Sequence, residues 1–249
     1  MVVLKTSREL GVMKEACRIS AGALQTVGKA VEPGVTTAEL DALAEKYIRS
    51  QGGEPNFKNY HGYPATACIS INNEVIHGIP STKRVLKAGD IVSVDLGAKF
   101  NGYNGDNAAT FACGDVSSEA KRLMQVTKDA LYEGIKAATA GSRIGDISYA
   151  VQRTVEAAGF SVVRQYVGHG IGTQLHEAPE VPNFGTAGRG IRLLPGMTLA
   201  IEPMVNAGGY DVKVLPDGWT VLTKDGSLSA HFEHTVVITP DGPKIMTVI

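Results

Sequence analysis

The sequence is short of cysteine, of net charge and of long hydrophobic runs. It has three cysteines in 249 residues (Cys17, Cys68 and Cys113), too few for a disulfide framework, and their apolar contexts favour reduced thiols. The formal net charge of −1 gives no electrostatic reason to expect a nucleic acid or an anionic membrane as partner. No stretch approaches the ~18 apolar residues of a transmembrane helix, and the N-terminus lacks the features of a signal peptide. We therefore expect a cytoplasmic protein.

Glycine, by contrast, is abundant. The 29 glycines in 249 residues exceed the usual ~7% and predict many turns and close backbone approaches. Apolar residues at 43% and charged residues at 20% are typical of a globular core and exclude a chain that is mainly disordered.

Hydrophobic periodicity predicts four helices. Two begin at the capping boxes of Thr6 and Thr36, and they end before Pro33-Gly34 and at Gly52-Gly53. Two more are predicted from about Ser117 to about Ala140 and from about Ile144 to about Ala158. Strand-like segments are residues 67–71, 91–95 and 108–111, and strands dominate from about Ser161 onward.

The second half of the sequence repeats the first with a shift of 107 positions. Gly34 falls on Gly141, and Gly34–Gly52 spans as many positions as Gly141–Gly159. A strand that ends in Asp95 falls on one that ends in Glu202. A looser echo, at another shift, pairs the segment of His77 with that of His176. We expect one domain over residues 1–249, with α+β halves of roughly 6–113 and 114–249 that share one sheet system.

Asp95 and Asp106 flank a predicted hairpin. If Asn101-Gly102 is a two-residue turn, Gly97 lies opposite Asp106, and strand alternation puts Asp95 on the same face. Diagonal neighbours across a hairpin are about 7–8 Å apart. Two carboxylates would then face one spot and repel, unless one takes a proton or a divalent cation lies between them. A simple turn role for Asp106 remains the alternative.

Glu202 and Glu233 are acids within apolar strands of the second half. The repeat makes Glu202 the counterpart of Asp95, and Glu233 that of Asp106 if the second hairpin has a longer loop. A pseudo-twofold arrangement would bring all four acids together, and about two divalent cations would balance their charge. His169, among glycines, is a candidate nitrogen ligand, and such a set suits Mn, Fe(II), Co or Zn.

Other histidines are also near these acids in sequence. Strand alternation puts His231 on the face of Glu233, which leaves a ligand role for His231 open, and His234 on the opposite face. His61 is interpreted as a structural residue.

Several motifs together resemble those of the type I methionine aminopeptidases, in their minimal bacterial form. The resemblance covers essentially the whole chain and implies the pita-bread metallopeptidase fold: two pseudo-twofold-related α+β halves that share a curved, mainly antiparallel sheet with helices outside. The motifs are YHGYP at 60–64, CISIN at 68–72, VIHGIP at 75–80, VDLG at 94–97, NGYNGD at 101–106, GHGIG at 168–172, IEPM at 201–204 and FEHT at 232–235.

The resemblance implies metal-dependent removal of an N-terminal methionine when the second residue is small. Two divalent ions (Co, Mn, Fe(II) or Zn) would be held, with Glu202 also acting as general base. One histidine of the pair His77 and His176 would contact the substrate backbone, and the other would stabilise the tetrahedral intermediate. The implied ligands are Asp95, Asp106, His169, Glu202 and Glu233, of which Asp106 and Glu233 would bridge the two ions.

The resemblance also implies a methionine pocket. Phe57 is bulkier than the residue often found at its position in the family, and Leu175 replaces a common phenylalanine. The shape of the pocket in other family members is therefore not assumed for this chain. The implied substrate-binding residues are Phe57, Tyr60, Tyr63, Cys68, His77, Leu175, His176 and Trp219.

The expected partners are the N-termini of nascent polypeptides, near the ribosome, and the expected state is a monomer. The start of the chain leaves no room for the zinc-binding N-terminal extension of some relatives. Two alternatives remain: a proline-specific relative such as aminopeptidase P or prolidase, which usually carries a large extra N-terminal domain, and a peptide-binding module that has lost catalysis. All five implied ligands are present, which argues against the second.

Overall fold

The computed structural model describes residues 2–249 and contains the four expected helices. These are α1 (Ser7–Lys29), α2 (Thr37–Ser50), α3 (Ser118–Ala137) and α4 (Ile144–Ala157). The strands are β1 (Glu54–Pro55), β2 (Ala67–Ile71), β3 (Glu74–Ile76), β4 (Ile91–Phe100), β5 (Tyr103–Ala112), β6 (Ser161–Val162), β7 (Gly168–Gly170), β8 (Glu177–Val181), β9 (Thr198–Ile201), β10 (Met204–Asn206), β11 (Val212–Val214), β12 (Val221–Thr223), β13 (Ser229–His231), β14 (Glu233–Thr239) and β15 (Gly242–Ile245).

The capping boxes start the first two helices as the sequence predicts. The Thr6 side chain accepts a hydrogen bond from the backbone N–H of Glu9, whose carboxylate accepts one from the Thr6 backbone N–H. Thr36 and Glu39 repeat this arrangement at α2. No helix within residues 2–249 has the length and hydropathy needed to cross a bilayer.

The β4–β5 hairpin also forms in the predicted register. Phe100 pairs with Tyr103, so Asn101 and Gly102 are the two turn residues, and Gly97 lies opposite Asp106. Both turn residues have positive φ, 46° and 85°, which is the backbone conformation that the Asn-Gly pair favours. The strand that was expected to end at residue 95 continues to Phe100, because it pairs with β5 along its whole length.

Strands from both halves form one antiparallel sheet. Its order is β1-β4-β5-β14-β9-β7-β8, with β2 also paired to β4 and β15 to β14. Helices α1 and α2 pack their apolar residues against β4, and α3 and α4 supply those that cover β9 and β14. The result is the expected curved sheet with helices outside.

The two halves repeat the same hydrogen bonds, 107 residues apart. The Gly34 N–H donates to the Leu86 carbonyl at 2.9 Å, and the Gly141 N–H donates to the Leu193 carbonyl at 2.9 Å. Isolated bridges join residues 36 and 85 in one half and residues 143 and 192 in the other. Gly34 and Gly141 have φ of 98° and 94°. The halves are therefore related by a pseudo-twofold axis.

At the seam between β5 and β14 the equivalent positions are 125 residues apart. The Thr110 hydroxyl bridges the backbone of His231, and the Thr235 hydroxyl bridges that of Asp106 in the same way. Glu233 lies opposite Ala108. The expected equivalence of Asp106 and Glu233 is therefore wrong: the counterpart of Asp106 is His231, because the register of β14 against β5 pairs Glu233 with Ala108.

Gly105 provides a test of how tightly α1 packs on this hairpin. A Cβ atom on Gly105 would lie 2.5 Å from the Cys17 backbone nitrogen, whereas one on Gly102 would meet nothing within 4 Å. We expect Gly105→Ala to lower the free energy of unfolding by about 1–3 kcal/mol through overpacking. Gly102→Ala introduces no steric clash but places alanine at a positive φ, so it should lower the free energy of unfolding by about 1 kcal/mol. Urea unfolding of both variants measures the difference, and equal losses would contradict the tight packing.

Candidate metal centre and active site

Four acidic side chains meet on one face of the sheet, where the two halves join. Asp95 on β4 lies opposite Ala108 on β5, which in turn lies opposite Glu233 at the start of β14. Asp106 is two residues from Ala108 and therefore shares its face. Glu202 directly follows β9, whose last residue, Ile201, pairs with the neighbour of Glu233. Backbone register alone thus brings the four acids together.

His169 completes this cluster from β7, the strand beside β9. Potential ligand atoms of Asp106, His169 and Glu233 all lie within 4.8 Å of one another. The His169 Nε2 atom is 3.5 Å from Glu202 Oε1. All five residues that the resemblance implies as ligands line one cavity.

The four carboxylates have no compensating lysine or arginine. Within residues 2–249, the basic side chains within 4 Å of these carboxylates are those of His169 and His231, both next to Glu202. Burial raises the pKa of Asp106 to about 7. Burial, followed by the charges of neighbouring acids, raises the pKa values of Asp95, Glu202 and Glu233 well above the usual range. Carboxylates held this way favour either protons or bound cations.

Unpaired oxygen atoms show where cations would fit. Asp95 Oδ1, Asp106 Oδ1 and Glu233 Oε1 are buried without a hydrogen-bond partner among the described residues. Buried carboxylate oxygens are normally paired, so three together indicate ligands for a group that the polypeptide itself does not supply. Oxygen donors with one imidazole fit divalent Mn, Fe, Co or Zn.

The His169 ring is set to offer Nε2 as a ligand. Its Nδ1 atom is 2.8 Å from the Gly170 carbonyl oxygen, which can only accept a hydrogen bond. Nδ1 therefore carries the proton, and Nε2 keeps its lone pair. Burial, and then nearby His176, lower the pKa of His169 to about 3, so the ring is neutral at pH 7.

His231 lies beside Glu202, next to the carboxylate oxygen that His169 does not approach. Its Nε2 atom is 3.8 Å from Glu202 Oε2, and neither ring nitrogen has a hydrogen-bond partner in the described part of the chain. Burial lowers the pKa of His231 to about 3. The Glu202 carboxylate is therefore flanked by two neutral imidazoles.

A cavity of about 200 Å³ extends from the acids to an aromatic wall. The Trp219 ring contacts Tyr63 edge-on at 5.1 Å and His77 at 6.2 Å between centroids. The Tyr63 hydroxyl donates to the carbonyls of residues 67 and 78, which fixes its ring. One end of the cavity is thus apolar and the other anionic. The sequence-predicted pocket residues in its lining are Phe57, Tyr60, Tyr63, Cys68, His77, Leu175, His176 and Trp219.

His61 also lines this cavity, which the sequence analysis did not anticipate. The residue has a left-handed backbone with φ of 49°, an uncommon conformation for a residue other than glycine. Only the flanking Tyr-His-Gly order hints at such a turn.

The two histidines His77 and His176 lie at the junction of the apolar and anionic ends. Burial lowers the pKa of His77 to about 4 and also lowers the pKa of His176. Each ring is therefore neutral at pH 7 and donates one hydrogen bond. The His176 and His169 rings meet edge-on with centroids 4.2 Å apart, so His176 lies directly beside a ligand.

The loop that carries His176 is held by the N-terminal segment. The Glu177 carboxylate accepts hydrogen bonds from the Gln174 N–H at 3.1 Å and from Lys5 Nζ at 2.5 Å. Both ends of the Lys5–Glu177 ion pair are nearly buried. These residues are 172 positions apart, and no local pattern connects them.

Comparison with known proteins agrees with this site. The sequence model of metallopeptidase family M24 matches residues 11–240. The chain is 53% identical over 247 residues to the methionine aminopeptidase of Clostridium acetobutylicum, covering 99% of each chain. It is 46% identical to the crystal structure of methionine aminopeptidase from Thermotoga maritima, with a TM-score of 0.99 and complete coverage of both chains.

Prolidase from Pyrococcus furiosus shares the fold only. The TM-score is 0.80 at 24% identity, and the chain covers 66% of that protein. The chain thus shows high identity over its full length with the methionine aminopeptidases and not with this prolidase. The chain belongs to metallopeptidase family M24 and, within it, to the methionine aminopeptidases.

Proposed function

We propose that the chain removes an N-terminal methionine by using Asp95, Asp106, His169, Glu202 and Glu233 to hold two divalent cations. The observation that carries this proposal is the group of four uncompensated carboxylates at the end of an aromatic cavity. When bound, the cations would supply a Lewis acid and lower the pKa of a water molecule.

The residues around the cations would transfer protons, stabilise the developing negative charge and bind the substrate backbone. Glu202 takes a proton from the attacking water and later returns it to the leaving amine. Its position supports that role, because its carboxylate lies in the cavity lining between the His169 and His231 rings. His176 donates a hydrogen bond to the carbonyl oxygen as negative charge develops. His77, held against Trp219, contacts the substrate backbone.

The cavity supports the choice of substrate. Its apolar end fits an unbranched thioether side chain, and a cation held by the carboxylates at its other end would accept the lone pair of a free α-amino group next to that side chain. We infer that the next residue must be small and that the physiological substrates are the N-termini of nascent polypeptides. A cytoplasmic, monomeric enzyme that works near the ribosome is part of this proposal.

Removal of metal is the first test. Chelation should abolish hydrolysis of a Met-Gly peptide, and Mn, Co or Fe(II) should restore it. In the chelated protein Asp106 keeps its proton up to about pH 7, whereas an unfolded Asp loses it near pH ~4. The folded state then binds more protons than the unfolded state. Its free energy of unfolding should therefore fall as the pH rises between these values, by about 1.4 kcal/mol per pH unit for each such carboxyl group.

Urea unfolding with chelator, near pH ~5 and pH ~7, measures this slope. Asp106→Asn should reduce it, and the exposed control Asp241→Asn should not. Full activity of rigorously metal-free protein, or a slope that Mn leaves unchanged, would contradict the metal site.

The sequence of the peptide and the state of its N-terminal amine provide the second test. The enzyme should release methionine before Gly, Ala or Ser and be far slower before Lys, Glu or Leu, because the resemblance implies a site that is closely walled around the second residue. Replacing the first residue by leucine should slow hydrolysis by about tenfold or more. Acetylation of the amine should block it. Comparable rates for leucine and methionine would refute the pocket, and cleavage of Xaa-Pro peptides instead would favour the proline-specific alternative.

Two histidine variants separate a ligand from a transition-state donor. His169→Ala should weaken metal binding, with partial rescue by excess metal. His176→Ala should keep its metal while kcat and kcat/KM fall together by ~10²–10³. Metal analysis by mass spectrometry beside steady-state kinetics distinguishes the two. Loss of metal from His176→Ala alone would reverse the assignments.

A further inference from the structure

The His176 ring makes one hydrogen bond to the protein, at its Nδ1 atom. The Tyr60 hydroxyl lies 2.9 Å from this nitrogen, and the two rings meet edge-on at 5.2 Å. His176 Nε2 has no hydrogen-bond partner among the residues that the structure describes, and the ring lines the cavity. The direction of the hydrogen bond between Tyr60 and Nδ1 therefore decides whether Nε2 donates or accepts a hydrogen bond toward the substrate.

A neutral imidazole carries one proton, on either nitrogen. If Nδ1 donated to Tyr60, Nε2 would keep its lone pair and could only accept a hydrogen bond. If Tyr60 donates instead, Nε2 carries the proton and presents a hydrogen-bond donor on the ring that lines the cavity. The donor role proposed above for His176 requires the second arrangement.

The turn that carries Tyr60 is held in an unusual backbone conformation. Its neighbours Asn59 and His61 have φ of 68° and 49°, in the left-handed region that non-glycine residues rarely adopt. The Asn59 N–H donates to the Tyr63 carbonyl at 2.8 Å, and the Tyr60 N–H donates to the Phe57 carbonyl at 2.9 Å. Such strain persists where the surrounding structure requires it, commonly at functional sites.

We propose that Tyr60 is a positioning residue that donates its hydroxyl proton to Nδ1 of His176 and so holds this histidine in the Nε2–H form that the reaction needs. This inference deepens the proposed function and depends on the role given there to His176. Tyr60 thus does more than form a wall of the methionine pocket.

The direct test reads the protonated nitrogen by two-bond ¹H–¹⁵N spectra of the full chain, loaded with diamagnetic Zn²⁺. The His176 signals are assigned by their loss in His176→Ala. We expect Nε2–H with unprotonated Nδ1 in the wild type, and a mixture of both forms in Tyr60→Phe. A proton on Nδ1 in the wild type, or an unchanged spectrum in Tyr60→Phe, would overturn the proposal.

Kinetics with the metal-loaded enzyme separate positioning from pocket formation. Tyr60→Phe keeps the ring, so KM and metal content should stay constant while kcat falls about tenfold, as expected for one lost hydrogen bond. In a His176→Ala background the same change should cause no further loss. A raised KM with unchanged kcat, or an equal loss in both backgrounds, would make Tyr60 only a pocket wall.

Tyr132 provides the matched control. Its hydroxyl lies 3.4 Å from Nε2 of His234 in a similar edge-on pair outside the cavity. Tyr132→Phe should leave both spectrum and kinetics unchanged. Full activity of His176→Ala would refute the proposed role of His176 in the reaction itself, independently of the form in which its ring is protonated.

Discussion

The mutual repulsion of four buried carboxylates is the constraint on which this structure depends. Burying one unpaired charge costs several kcal/mol, and here Asp95, Asp106, Glu202 and Glu233 face each other without a lysine or arginine. The acids stay together because three of them lie on paired strands and Glu202 directly follows a fourth. Cations then restore the balance, and the histidines around them remain neutral.

The pseudo-twofold axis explains how two similar halves make an asymmetric site. Position by position, Asp95 corresponds to Glu202, whereas Asp106 corresponds to His231 rather than to an acid. The first half places its second carboxylate where the second half places the His231 imidazole, and the second half places Glu233 where the first has Ala108. Each half thus supplies two acids, but His169 and His231 flank Glu202 and give it surroundings unlike those of Asp95.

Local rules made much of this predictable. Asn101-Gly102 fixes the hairpin register, and the register alone brings Asp95 and Asp106 to one face, while the capping boxes fix where α1 and α2 begin. Features that depend on loop length or distant contacts were not predictable. The register of β14 against β5 makes His231 the counterpart of Asp106, and the length of the connection after β9 does not reveal that register. Nothing local marks Lys5 as the partner of Glu177 or His61 as a cavity residue.

The Lys5–Glu177 ion pair and the late position of Glu233 have a consequence for biosynthesis. A growing chain emerges with Lys5 first, but its partner follows only after a further 172 residues, and the strand of Glu233 is the last but one. A chain of which only the first half has been made holds Asp95 and Asp106 without His169, Glu202 and Glu233, so the cluster of carboxylates is complete only once β14 has been made. Contacts so distant in sequence are expected to make folding slow compared with that of a helical bundle.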